Sequence, residues 1–63
     1  MWNSGGIYNV TQLYRIEELF TNGWQLIDES ASQLTKEQCD QRLNDYLQQG
    51  YNPNYLRAVP DFK

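Results

Sequence analysis

The side chains that could carry chemistry in this chain are few. Cys39 is the only cysteine, there is no histidine, and the carboxylates cluster as two adjacent pairs, Glu17-Glu18 and Asp28-Glu29. General acid–base catalysis and nucleophilic catalysis both need a group tuned by a neighbour, most often a histidine. A thiol near the start of a helix has a lowered pKa when it is exposed. Cys39, however, falls on the inward side of its helix, where it reads as a small buried hydrophobe. The two acidic pairs would need to converge on a shaped loop to hold a divalent ion; on strand faces such charges are solvated. There is no phosphate-binding loop and no dinucleotide fingerprint. The expectation is no enzyme, no cofactor and no metal.

The remaining candidates are contact residues. Tyr51, Tyr55 and Arg57 combine area with directional donors, the side chains that protein interfaces favour. Trp24 is read first as core, because a minimal core needs a large side chain, and second as an interface anchor.

These residues depend on elements legible in the sequence. In "LTKEQCDQRLNDYLQQGY", Thr35 and Gln38 form a capping box, and Leu34 packs on Cys39 as its hydrophobic staple. Cys39, Leu43, Tyr46 and Leu47 recur as one apolar stripe, Gly50 stops the helix, and Tyr51 folds back on Tyr46. This predicts a helix over about residues 36–49. Asn22-Gly23 is a hairpin signal, expected as a type I′ turn between a strand ending at Phe20 and one starting at Trp24. A helix capped by Thr11, with Leu13, Ile16 and Phe20 inward, is the other reading of the residues before the turn. Asn52-Pro53-Asn54 is turn chemistry, and "YLRAV" is a last strand with Leu56 and Ala58 on one face and Tyr55, Arg57 and Val59 on the other. Pro60 ends it or marks an edge.

The order strand, strand, helix, strand predicts a small α+β unit: a three-stranded sheet, antiparallel or mixed, with one helix on one face. Residues 1–6 are read as a loose N-terminus and 7–63 as a single domain. One helix covers one face of the sheet, so the face bearing Tyr55 and Arg57 is either solvated or occupied by a partner.

Composition narrows the partner. With 63 residues, one cysteine and no histidine, neither a disulfide nor a zinc site reinforces the small core, so oligomerisation is the expected extra source of stability. The formal charge is −3 and the five basic residues are scattered. A nucleic-acid surface needs them concentrated. No apolar run approaches the ~20 residues that cross a bilayer, and "MWNSGGIYNV" does not read as a signal peptide. The expectation is a soluble, cytoplasmic chain, which makes the Asn9-Val10-Thr11 sequon a chance match.

Three segments, "NGWQLIDE", "LTKEQC" and "GYNPNYLRAVPD", together resemble small uncharacterised proteins of marine cyanobacteria and, especially, of their phages. The resemblance carries no catalytic residue and no substrate. It implies a protein of the infected host's cytoplasm that works by binding a host protein. The expected function is thus a non-enzymatic protein-binding module, acting on a protein partner or by self-association as a homodimer. The alternative is a minor structural or assembly subunit of a larger particle.

Overall fold

The computed structural model describes residues 12–62. The stretch through Gly6 expected to be loose and the Asn9-Val10-Thr11 sequon lie outside the described residues. Within them the chain runs β1 (Tyr14–Phe20), β2 (Gly23–Leu26), α1 (Lys36–Gln48), a short 3-10 turn (Pro53–Tyr55) and β3 (Leu56–Pro60). The sheet has three strands in the order β2-β1-β3, and both pairings are antiparallel. The α+β architecture expected from the sequence is the one found, and the segment before the hairpin is a strand.

The hairpin closes through Thr21 and Asn22, with Phe20 opposite Gly23. The turn is not type I′. Asn22 does not take positive φ; that conformation falls on Gly23 alone, at φ 118°. Glycine's freedom is used at Gly23 as expected, but Asn22 does not share it, and Gly23 is the first residue of the returning strand.

Helix α1 starts as its sequence dictates. The Thr35 hydroxyl accepts from the Gln38 amide N–H at 3.2 Å, and the Gln38 side chain accepts from the Thr35 N–H at 2.9 Å. At the other end Gly50 takes φ 103°, the Tyr51 N–H bonds the Tyr46 carbonyl, and the two rings meet edge-on at 5.2 Å. Cys39, Leu43 and Tyr46 face the sheet, but Leu47 does not: it is 42% exposed. A short helix covers the strand beneath it and little more, so the last residue of the expected stripe overhangs.

The core lies between α1 and β1. Ile16, Ala31, Leu34 and Cys39 form its buried centre, with Tyr14, Ile27, Leu43 and Tyr46 packed around them. Beyond β2 the chain continues along the same edge of β1. The Ile27 N–H bonds the Ile16 carbonyl, the Ile16 N–H bonds Ala31, and Tyr14 and Leu34 exchange both their hydrogen bonds. Residues 28–30 are looped out between these contacts. Arg42 of α1 holds the loop by donating to the Ser30 carbonyl and hydroxyl at 3.2 and 3.1 Å.

Strand β3 runs along the other edge of β1. Leu56 is buried, and Ala58, opposite Ile16, lies on the helix side with it as expected but stays exposed. Helix α1 sits over the central strand and leaves the outer one partly uncovered. Tyr55 belongs to the 3-10 turn and not to the strand, so strand alternation does not govern it. Asn52 caps that turn by accepting from the Asn54 N–H at 2.9 Å.

Candidate functional site on the open face of the sheet

Alternation along β1 sends Tyr14 and Ile16 to the helix and Arg15, Glu17 and Leu19 to the opposite face. The register then places their neighbours. Trp24 lies opposite Leu19 and Leu26 opposite Glu17 on β2, while Arg57 lies opposite Glu17 and Val59 opposite Arg15 on β3. These seven residues share the face that α1 leaves open.

Trp24 is therefore not part of the core beneath the helix. It is half-buried on the open face, and its ring lies under the Arg57 guanidinium, whose carbon is 4.3 Å from the ring centroid. Arg57 stands on β3, so its side chain reaches across the central strand to a ring on β2. On the way it meets Glu17, with Nε and Nη2 at 2.8 and 2.7 Å from Oε1. Arg15 binds the other oxygen, Nε to Oε2 at 2.9 Å, and its Nη1 reaches Asp61 Oδ1 at 3.2 Å. Asp61 Oδ2 accepts the Gln33 backbone N–H at 2.8 Å. An unbroken polar row thus runs Trp24–Arg57–Glu17–Arg15–Asp61–Gln33 across the whole sheet.

The electrostatics follow from that row. Burial pushes the Glu17 carboxyl upward, but the hydrogen bonds from Arg15 and Arg57 outweigh it and hold the group below the usual carboxylate range. The Asp61 carboxyl is also lowered, chiefly by its bonds to Gln33 and then by Arg15. Arg15 is raised by Glu17 first and Asp61 second. Glu17 is ionised at neutral pH with both oxygens engaged, so it is not poised to donate or take a proton. The arginines of this face are already neutralised, and the exposed area beside them is apolar: Leu19 and Leu26 are 38% and 39% exposed.

The other residues singled out in the sequence go elsewhere. Tyr51 packs on Tyr46 at the end of the helix layer, and Tyr55 is half-exposed in the 3-10 turn. Of the four expected contact residues, the fold brings together Arg57 and Trp24. Cys39 is buried in the core, and burial raises its thiol. The acidic pairs do not converge. Glu17 and Glu18 occupy opposite faces of β1, and Asp28 is bound by the Ser30 N–H and hydroxyl, which lower its carboxyl. Among the described residues no group of three or more His, Cys, Asp or Glu side chains is placed to hold a metal ion. Nor is any described helix long and apolar enough to cross a membrane.

Arg15, Leu19, Leu26 and Asp61 complete the site and are not singled out as contact residues in the sequence; Glu17 is read there only as one of an acidic pair that could hold an ion. Alternation along β1 already put Arg15, Glu17 and Leu19 on one face. The register against β3, on which the ion row depends, has no local signal. No family model, curated protein or solved structure matches the chain.

Proposed function

We propose that this chain is a non-enzymatic protein-binding module whose contact surface is the open face of the sheet, with Trp24 and Arg57 at its centre. One observation carries the reading: a tryptophan sandwiched under an arginine, beside exposed leucines, on the sheet face turned away from the helix. Aromatic and arginine side chains supply most of the binding energy in protein interfaces, and they do so best when already held in place. Here Glu17 fixes the Arg57 guanidinium, so little freedom is lost when a partner covers it. The internal neutralisation of Arg15 and Arg57 favours a partner patch that is apolar and weakly charged. In the setting that the cyanophage resemblance implies, that partner is a host protein.

The test compares capture of partners from cyanobacterial lysate by the wild type, a Trp24→Ala/Arg57→Ala variant and a Tyr51→Ala variant, each verified as folded by circular dichroism. Capture is expected to be lost in the open-face variant and kept in Tyr51→Ala, whose change lies on the helix side. Equal capture by all three would sink the open-face reading.

A further inference from the structure

The hydrogen-bond parity of the sheet makes its two edges unequal. In an antiparallel pair, residues alternate between those that bond each other and those whose N–H and C=O point away. The Ile27 N–H bonds the Ile16 carbonyl, and Ile27 continues the register of β2 against β1. Counting back, Gln25 and Gly23 bond β1, and the backbone groups of Trp24 and Leu26 point outward. On the other side the Asp61 N–H bonds the Leu13 carbonyl, so Val59 and Arg57 bond β1 and Leu56, Ala58 and Pro60 point outward.

The β3 edge is guarded. The Leu56 N–H is taken by the Pro53 carbonyl and Pro60 has none, which leaves Ala58 as the single outward donor. The β2 edge has no such protection. Gly23–Leu26 contains neither proline nor charge, the usual guards of an exposed edge. The outward N–H and C=O groups of Trp24 and Leu26 have no partner among the described residues.

We infer that β2 pairs antiparallel with β2 of a second copy about a two-fold axis through Gln25, joining two sheets into one of six strands. This rests on the reading of the chain as a contact-making module and names one partner for it. The two-fold axis sets Trp24 opposite Leu26 of the second copy and the reverse. Each of these two pairs exchanges two hydrogen bonds, so every outward group on Trp24 and Leu26 is satisfied at once. A C2 contact must be self-complementary, and a free edge whose outward residues lie symmetrically about Gln25 meets that condition. Residues opposite one another share a face, so Trp24 and Leu26 of both copies join Leu19 in one apolar strip on the open face. Arg57 draws the Trp24 ring inward over β1, which keeps it off the edge. Charge favours the same place: a chain of net −3 approaches its own copy best along an uncharged strand.

The axis also supplies the test. Gln25 is exposed and would face its own copy, so one substitution puts like charges directly opposite each other. Sedimentation equilibrium should give a dimer for the full chain, and the Trp24 and Leu26 amides should become protected from exchange as concentration rises, with Ala58 unprotected. Gln25→Lys and Gln25→Glu should each weaken the dimer by about twofold to fivefold, and an equimolar mixture of the two should restore a heterodimer. That rescue shows that both variants are folded. A monomer at millimolar concentration, a dimer indifferent to Gln25→Lys, or Trp24 and Leu26 amides protected only by a different protein would overturn the proposal. If the chain is monomeric and Trp24→Ala/Arg57→Ala still abolishes capture, the open-face reading stands and the paired edge alone falls.

Discussion

Glu17 is the most constrained side chain of the open face, 7% exposed and gripped by two guanidiniums. A buried carboxylate is tolerated only when its oxygens are fully engaged. Glu17→Gln keeps the shape and removes the charge that both arginines share. Because those arginines are themselves partly in water, the expected loss is about 1–2 kcal/mol, well below that of a fully buried pair. Urea denaturation checks it. The same substitution frees Arg57 from its anchor, so the Trp24 emission should shift to the red in the still-folded protein, read in a Trp2→Phe background. In the sequence Arg57 is legible as a contact residue through its type and predicted face, whereas Trp24 reads first as core. Side-chain size is visible in a sequence; the arginine that would cover the ring comes from a strand distant in sequence.

Elements were more legible than residues because most of their signals are local. The capping box, the glycine stop and the Tyr46–Tyr51 contact all lie within one helix and its flanks, and all are present. Besides the overhanging Leu47, two departures at this scale are instructive. Alternation places Tyr55 in the last strand, which in the structure begins one residue later, because the Asn52 cap extends the turn into a 3-10 helix. The hairpin signal was right about the turn and wrong about its type, since Asn-Gly marks a reversal without saying which residue bears the positive φ. That difference is measurable. A Cβ on Gly23 would meet nothing within 4 Å, so its cost is purely that of the backbone. Gly23→Ala should lose about 1–2 kcal/mol. Asn22→Ala, which gives up only an exposed side-chain bond to Gln25, should lose no more than about 0.5 kcal/mol. Thermal or urea unfolding of the pair distinguishes the observed turn from type I′, in which both changes would be costly.

At the scale of the whole molecule, carboxylates add ties between parts that the core and the strand ladders also join. Glu17 ties β1 to β3, Asp61 ties the end of β3 to Arg15 and the Gln33 loop, and Asp28 orders the loop that Arg42 holds to the helix. All three carboxyls are lowered in the folded chain. A lowered folded pKa means that the unfolded chain binds protons first as the solution is acidified. Their contribution is full above the ordinary carboxylate range of about 4 and is lost as pH falls through the lower folded values. Unfolding midpoints in urea should therefore be flat from neutral pH to about 5 and then drop steeply, and Glu17→Gln should flatten that drop.

The strand order β2-β1-β3 carries a consequence in time. Strand β1 reaches its first neighbour through a two-residue turn, yet meets its second only after the whole helix has intervened, with Arg57 forty positions beyond Glu17. Short loops close in well under a microsecond and hairpins in microseconds, whereas distant pairings wait on the entropy of a larger loop. The hairpin and the helix are thus the early events, and docking of β3 is the late one. Until it docks, Glu17 is a carboxylate without its Arg57 partner, and the tryptophan lies bare. The clasp that finishes the open face is the last to shut.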